Sequence, residues 1–182
     1  LRVHSSGRFS AFYYNGVVFE ILSPSLTPLA RWMHAAVTIS GTLMSLYMDG
    51  ILVGTLTITG TQGVPTGRMA IGATPPCIAT GGVYAEWLGG RIDEVRVWNV
   101  ARTQTQIQSL MNAPAVGTET GLVALYHFDS LTGTVATDST SNANHGTVSG
   151  AKWRPLNGFD LYTFDASGTQ QAGTAAWQFN GV

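Results

Sequence analysis

The sequence has 182 residues, of which 45% are hydrophobic and only 10% charged, and its net charge is −1. A chain of this length can bury about 70% of its unfolded surface as one domain, so it needs no covalent cross-links. The near-neutral charge, without a run of either sign, excludes nucleic acid as an expected partner, and no apolar segment approaches the ~20 residues of a membrane span.

The surface of such a chain must be covered largely by Thr, Ser, Asn, Gln and Gly, a composition typical of secreted or cell-surface proteins. Cys77 is the only cysteine, which excludes an internal disulfide and a thiolate metal cluster. The chain begins with Leu1 rather than Met. We therefore expect a fragment or processed product of a longer extracellular or cell-surface protein.

Short runs of β-branched and aromatic residues, interrupted by Gly, Pro and Asn, dominate residues 8–98 and predict an all-β fold. Asn-Gly at residues 15–16 and Asp-Gly at residues 49–50 each separate two such runs, and these dipeptides favour two-residue hairpin turns with positive φ at both positions. Alternate residues within 43–48 are Met, Leu and Met, which predicts a strand with one face in the core.

A predicted loop over residues 73–90 precedes the most informative part of the chain. Residues 92–98, Ile-Asp-Glu-Val-Arg-Val-Trp, predict a strand because they are rich in β-branched and aromatic side chains. Thr103 and Gln106 have the Thr-x-x-Gln spacing of a capping box, and apolar residues follow at helical intervals. The sequence therefore predicts a short helix over residues 104–112.

The remaining part of the chain begins with a predicted linker, residues 114–121, and a predicted strand, residues 122–129. Residues 138–146 alternate Asp, Thr and Asn oxygen donors, but they lack the closing glutamate of an EF-hand calcium loop. Because Asn and Asp side chains bond their own backbone in turns, we predict a structural turn here. Short strands are predicted near residues 147–153 and 175–179.

Three sequence blocks carry a family resemblance: Trp-Met-His-Ala-Ala-Val-Thr at residues 32–38, Leu-Tyr-Met-Asp-Gly at residues 46–50, and the 92–98 block. In their order and spacing they resemble the laminin G-like branch of the concanavalin A-like lectin and glucanase superfamily. The resemblance covers nearly the whole chain and implies an antiparallel jelly-roll β-sandwich, with one short helix after the 92–98 strand. This fold hosts binding modules, adhesion modules and hydrolases, so it does not define a function.

The order of the blocks is unusual for that family. Patterns such as Gly-Leu-Val-Ala-x-Tyr-x-Phe-Asp, here at residues 121–129, usually open a domain of the family, whereas Ile-Asp-Glu-Val-Arg-Val-Trp closes one. We therefore predict later strands of one jelly roll in residues 1–113, a linker in 114–121, and opening strands of a following jelly roll in 122–182. Two explanations are open. Either the chain is part of an array of repeated domains, or its terminal strands complete a sandwich in permuted order or within another chain. Incomplete edges would favour self-association through strand addition.

Asp93 is the candidate metal ligand. The resemblance implies one Ca²⁺ bound through an aspartate at this kind of late-strand position, with backbone carbonyls from an early strand, expected here from residues 179–181 or from missing sequence. Ca²⁺ suits such a site because it tolerates many oxygen ligands in flexible geometry, carbonyls included. The alternative is a structural carboxylate that pairs with Arg91 or with a backbone amide.

Four aromatic residues are candidate ligand-binding residues: Tyr84 and Trp87 in the long loop, and Tyr13 and Tyr14 near the first hairpin. Carbohydrates stack their apolar faces on aromatic rings and hydrogen-bond to polar side chains, so exposed aromatic residues favour glycan binding. The alternative for Trp87 is a purely structural place in the core.

Catalysis is not expected from this sequence. Glycoside hydrolases require two carboxyl groups that face one glycosidic bond, and adjacent Asp93 and Glu94 would face opposite sides of the predicted strand. We predict a noncatalytic recognition or adhesion module that binds a glycan or an extracellular protein, with Ca²⁺ as a stabilising ion. The alternative is a structural subunit of an extracellular filament or surface appendage assembled by strand addition.

Overall fold

The computed structural model describes residues 1–28, 31–62, 69–73 and 88–154, together with the backbone of three short C-terminal strands. Its elements in chain order are β1 (Arg2–Val3), β2 (Arg8–Tyr14), β3 (Val18–Leu26), β4 (Ala35–Ser40), β5 (Leu43–Met48), β6 (Ile51–Thr57), β7 (Gly90–Arg91), β8 (Val95–Trp98), α1 (Gln104–Leu110), β9 (Leu122–Tyr126), β10 (Val135–Ala136), β11 (Gly146–Thr147), β12 (Tyr162–Phe164), β13 (Gln170–Ala172) and β14 (Trp177–Gln178). The predicted all-β class with a short helix after the 92–98 block is confirmed.

Two antiparallel three-stranded sheets, β1-β2-β3 and β4-β5-β6, form a β-sandwich. Their facing side chains include Ala11, Phe19 and Ile21 from the first sheet and Met44 and Leu46 from the second. These residues alternate along their strands, as a strand with one face in the core requires. The predicted core-facing row of β5 is therefore confirmed. We call this part of the molecule the six-strand sandwich.

The two hairpin turns differ, although their sequences predict the same turn. Asp49 and Gly50 both have positive φ, 47° and 73°, and Met48 pairs with Ile51, so the predicted two-residue turn is confirmed there. At the first hairpin Tyr14 pairs with Val18, which leaves a loop of residues 15–17, and only its glycine has positive φ. The two-residue prediction is wrong at this hairpin. The Asn15 side chain donates to the Thr59 and Thr61 carbonyls, and these bonds hold the longer loop against the opposite sheet.

The predicted strand over residues 92–98 is interrupted. Strand pairing stops after Arg91 and resumes at Val95, and Glu94 between them has a φ of 51°. Non-glycine residues rarely adopt this left-handed conformation, and it breaks the alternation of a strand. The argument that Asp93 and Glu94 face opposite sides of one strand is therefore wrong in its premise, because neither residue lies in a strand.

The helix follows the predicted capping box closely. Thr103 Oγ1 accepts a hydrogen bond from the Gln106 backbone N–H at 3.3 Å, and Gln106 Oε1 accepts one from the Thr103 N–H at 3.0 Å. These two bonds satisfy amide groups that the first turn of a helix leaves without partners. Gln108 then donates to the Gly50 carbonyl at 3.0 Å, which positions the helix on the β5–β6 turn.

β8 pairs with β9 in an antiparallel ladder that runs from Val95 opposite Tyr126 to Trp98 opposite Leu122. The ladder lies between two small apolar clusters. Trp98 packs with Ala115, Leu122 and Leu125 on one side, while Val95 and Val97 pack against Ala124, Tyr126 and Ala136 on the other. We call β8, β9 and their covering residues the β8–β9 unit. The ladder pairs a strand of the predicted segment 1–113 with a strand of the predicted segment 122–182. The division of the chain into these two jelly-roll segments stays a prediction.

Candidate functional site

The outward surface of β1, β2 and β3 carries exposed apolar side chains and two charged ones around the buried Ser10. Cross-strand partners in antiparallel sheets project to the same side, so the register of β1, β2 and β3 assigns these residues to one surface. This surface, which we call the outer face, consists of Arg2, Ser10, Phe12, Tyr14, Val18, Glu20 and Leu22. Its aromatic members, Phe12 and Tyr14, are 40% and 63% exposed. They lie two positions apart on β2, which separates them by about 7 Å along the strand.

The two adjacent tyrosines predicted to bind ligand lie on opposite sides of β2. Tyr13 pairs with Phe19 on the inward side, where the two ring centroids are 6.4 Å apart, and Tyr13 packs against the core of the six-strand sandwich. Tyr14 projects outward opposite Val18. Only Tyr14 of this pair therefore offers an exposed aromatic surface on the outer face.

Arg2 and Glu20 form an ion pair that spans the outer face from β1 to β3. Arg2 Nη2 donates to Glu20 Oε1 at 2.9 Å, and its Nε lies 3.3 Å from the same oxygen and 3.3 Å from Ser10 Oγ. The guanidinium carbon also lies 4.5 Å from the centroid of the Phe12 ring, a cation–π arrangement. Arg2 therefore joins the aromatic and acidic parts of this surface.

The charge state of Glu20 follows from these contacts. Partial burial works to raise the pKa of Glu20, but hydrogen bonds from Ser10 and Arg2 and the positive charge of Arg2 outweigh it, so the pKa lies below its ordinary value. Glu20 is therefore ionised at neutral pH, and it balances the permanent positive charge of Arg2. The outer face presents apolar rings beside a charge-compensated pair.

Asp93 lies beside a second charged group at the end of the β8–β9 ladder. Its Oδ1 accepts a hydrogen bond from the Glu94 backbone N–H at 3.1 Å. The carboxylate of Glu94 is bound by Arg96 at 2.9 Å and by the His127 ring. Because Arg96 also donates to the carbonyls of Leu110 and Ala113, Glu94 belongs to a network that links β8, β9 and the residues after the helix.

The pKa of Asp93 reflects its burial and its acidic neighbours. Burial raises the pKa of Asp93 to about 6, and the negative charges of Asp129 and Glu94 contribute, against the opposing Glu94 backbone hydrogen bond and His127 charge. A divalent cation would relieve this repulsion. The described part of the chain contains no group of three or more His, Cys, Asp or Glu side chains arranged around a metal position. Asp93 and Asp129 could thus hold Ca²⁺ only with backbone carbonyls and water as further ligands.

The polar turn at residues 138–146 is organised around a buried carboxylate. Asp138 is 3% exposed and accepts hydrogen bonds from the backbone N–H groups of Leu125, Thr140 and Asn144 and from the Thr140 hydroxyl. The side chains of Thr140, Asn142 and Asn144 all donate to the Val123 carbonyl. The polar side chains of this turn therefore hold β9 in place, in agreement with the prediction of a structural turn. We call this arrangement the Asp138 clamp.

Two of the predicted ligand-binding residues, Tyr84 and Trp87, lie outside the described residues, as do the expected carbonyl ligands at residues 179–181. Sequence reasoning missed Arg2, Phe12 and Glu20. The sequence did contain a signal for Phe12. Phe12 lies two residues before Tyr14, and residues two apart on a strand share a face, whereas the adjacent Tyr13 and Tyr14 do not. No sequence signal indicated that β1 would bring Arg2 next to Glu20.

Comparison with known protein families assigns this chain to a superfamily. A laminin G family model of the concanavalin A-like lectin/glucanases superfamily matches residues 1–108, more than half of the chain. The chain therefore belongs to this superfamily, and the resemblance drawn from its sequence blocks is confirmed. The match ends within α1, before β9. In the described part of the chain, no helix has the length and apolar character needed to cross a membrane.

A solved structure from Bacteroides ovatus, described as a "putative carbohydrate binding protein", is similar to this chain. The two share 26% sequence identity with a TM-score of 0.55, and the match covers 86% of this chain. It covers 42% of the other protein, so this chain corresponds to less than half of that molecule. No curated protein matches the sequence.

Proposed function

We propose that the chain is a noncatalytic glycan-binding module of an extracellular protein and that its outer face is the binding surface. The observation that carries the proposal is the exposure of Phe12 and Tyr14 beside the Arg2–Glu20 pair on one face of the β1-β2-β3 sheet. The superfamily and the carbohydrate-binding description of the Bacteroides ovatus neighbour support it.

The chemistry of the outer face suits sugars. The apolar C–H face of a pyranose stacks on an aromatic ring, and Tyr14 offers the most exposed ring of this surface. Polar groups at the side of the ring fix the orientation of the sugar through its hydroxyls, and Glu20 is an ionised acceptor at that position. An open sheet face accommodates a segment of an extended chain, so we expect an oligosaccharide to bind better than a monosaccharide.

The noncatalytic character of the proposal rests on the positions of the carboxyl groups. Glu20, the acid of the outer face, is paired with Arg2 and has a lowered pKa, which is opposite to the raised pKa that a general acid requires. Glu94 is likewise held by Arg96 and His127. Glu20 has no second acid among its described contacts, so we propose that the outer face binds a glycan without cleaving it.

A glycan array followed by calorimetric titration of its best oligosaccharide tests the proposal. Removal of the exposed ring in Tyr14→Ala should weaken binding about tenfold or more, because stacking on this ring supplies part of the affinity. Tyr14→Phe should retain most of the affinity, since it keeps the ring. The matched control is Leu131→Ala, which removes a side chain of similar exposure outside the outer face. Full affinity in Tyr14→Ala, or no bound glycan for the wild type, would contradict the proposal.

We also propose that Ca²⁺ stabilises the module through Asp93 and Asp129. The support is electrostatic, because burial, together with the negative charges of Asp129 and Glu94, raises the pKa of Asp93 to about 6, and a bound cation would offset both effects. Millimolar CaCl₂ should raise the thermal midpoint of the wild type, and Asp93→Asn should abolish this increase. An equal increase in both proteins, or none in the wild type, would remove Ca²⁺ from the proposal.

Assembly by strand addition is a second candidate function, and one edge of the six-strand sandwich favours it. Among the described strands, β4 is one of the two edge strands of the β4-β5-β6 sheet, and its Val37 and Ile39 share the face of Leu46 and Met44 yet are 38% and 40% exposed. An edge strand with apolar side chains is a template for a strand of another chain. Sedimentation analysis should then detect oligomers that Ile39→Lys dissociates, whereas a monomer at all concentrations would contradict this candidate.

A further inference from the structure

We infer that the Arg2–Glu20 pair makes the outer face selective for neutral glycans over acidic ones, with Glu20 as the residue that determines this specificity. The inference rests on the proposed glycan binding by the outer face and extends it to the class of sugar. Its starting point is the position of the pair, which spans the sheet from β1 to β3 and contacts Ser10 and Phe12 of β2 between them.

The contacts of Arg2 orient its guanidinium toward the protein. Its Nε and Nη2 both address Glu20 Oε1, its Nε also approaches Ser10, and its planar surface lies over Phe12. Recognition of a sugar carboxylate or sulfate by arginine normally uses a two-pronged hydrogen bond from the same planar edge of the guanidinium. An acidic sugar would have to compete with Glu20 for that edge.

Glu20 adds a repulsive element to this competition. Its carboxylate remains ionised because the hydrogen bonds from Ser10 and Arg2 stabilise the charged form. Its side chain retains 19% of its exposed surface, so a bound glycan would approach a negative charge directly. Specificity often depends on such repulsion of the wrong ligand as well as on attraction of the right one. A neutral sugar meets no such penalty and can donate a hydroxyl hydrogen bond to the same carboxylate.

The test compares wild type, Glu20→Gln and Glu20→Asp on an array that contains neutral oligosaccharides together with uronic-acid, sialylated and sulfated ones. We expect the wild type to bind neutral glycans. Glu20→Gln should raise the ratio of acidic to neutral binding by about fivefold or more at low ionic strength, because a repulsive negative charge on the outer face is lost. Glu20→Asp, which retains the negative charge, should keep the neutral preference of the wild type.

Two further variants separate this inference from the proposed function. Tyr14→Ala, combined with Glu20→Gln, should lose both neutral and acidic binding if both sugars use the outer face. If Tyr14→Ala abolishes neutral binding but Glu20→Gln leaves the ratio unchanged, the outer face binds glycans and the specificity inference is wrong. If the wild type prefers acidic glycans, the inference is also wrong. If no glycan binds, or Tyr14→Ala has no effect, the proposed function is wrong, and the specificity inference that rests on it is wrong as well. Unchanged thermal midpoints confirm that each variant is folded.

Discussion

The six-strand sandwich and the β8–β9 unit are stabilised in different ways. The sandwich depends on side chains of alternate residues from two sheets, among which Ala11, Met44 and Leu46 are almost completely buried. The β8–β9 unit has only small apolar clusters, and polar side chains fasten its strands through the Asp138 clamp and the Glu94–Arg96–His127 network. The difference predicts that truncation of apolar side chains should weaken the first region most, and that acid should weaken the second.

This comparison also bears on the proposed functions of the two regions. The outer face belongs to the six-strand sandwich, so an apolar core supports the proposed glycan-binding surface directly from beneath. Alternation along β2 gives Phe12 and Tyr14 outward positions because Ala11 and Tyr13 pack inward. The position of the exposed rings is therefore coupled to the packing of the core.

The largest expected effect is the loss of core packing in Leu46→Ala. Leu46 is completely buried between the two sheets, so its truncation removes apolar contacts and leaves a cavity that should lower the free energy of unfolding by about 3 kcal/mol. Chemical denaturation measures this value. Val37→Ala, opposite Leu46 on β4 but partly exposed, is the matched control and should cost about 1 kcal/mol or less. Similar losses in the two variants would mean that the buried row of β5 does not dominate the stability of the sandwich.

Asp138→Ala should produce the second largest effect and should act mainly on the β8–β9 unit. The substitution leaves the N–H groups of Leu125, Thr140 and Asn144 without their acceptor, which should cost about 2–3 kcal/mol. Hydrogen exchange resolved by region should show faster exchange in β9 and the polar turn than in β5. Asp138→Asn retains one oxygen acceptor and should lose less. Uniformly faster exchange across both regions would contradict the separation drawn between them.

The pH dependence of stability offers a finer test of the same clamp. Burial works to raise the pKa of Asp138, but hydrogen bonds from Leu125, Thr140 and Asn144 outweigh it and lower the pKa. A carboxylate with a lowered pKa in the folded state contributes stability above its ordinary, unfolded pKa of 3.8 and loses it as pH falls through the folded value. Wild-type stability should therefore fall below about pH 4, with β9 opening first. Asp138→Asn should have a shallower decrease; equal slopes would contradict the assignment.

The sequence predicted most accurately those features that depend on local patterns. Alternation identified the inward row of β5, and the spacing of Thr103 and Gln106 identified the start of α1, because both patterns act within a few residues. The first hairpin was predicted less well. Its Asn15 side chain donates hydrogen bonds to the carbonyls of Thr59 and Thr61, which follow β6, and no local pattern contains that information.

The candidate site was predictable only in part, for a related physical reason. Tyr14 could be proposed from its aromatic character, but its separation from Tyr13 and its association with Phe12 depend on which face of β2 is covered. The Arg2–Glu20 pair depends on three strands aligned in register. Next to Asp93, the left-handed conformation of Glu94 interrupts a segment whose composition strongly favours a strand. The Glu94 side chain contacts His127, 33 residues further along the chain, and no local pattern contains that information.

The smallest expected effect concerns α1, which lies between β8 and β9 in the chain and contacts the β5–β6 turn of the six-strand sandwich through Gln108. Thr103→Ala removes the side-chain acceptor of the Gln106 N–H and should lower the free energy of unfolding by about 1 kcal/mol. Thr105→Ala is the matched control. Thr105 is the exposed second residue of the same helix, where it does not cap the helix end, and alanine favours the helical state at that position. Hydrogen exchange should also reveal which region depends on the helix. Faster exchange at Asp49 and Gly50 in Thr103→Ala would mean that the helix supports the sandwich, whereas faster exchange confined to β8 and β9 would assign it to the other region.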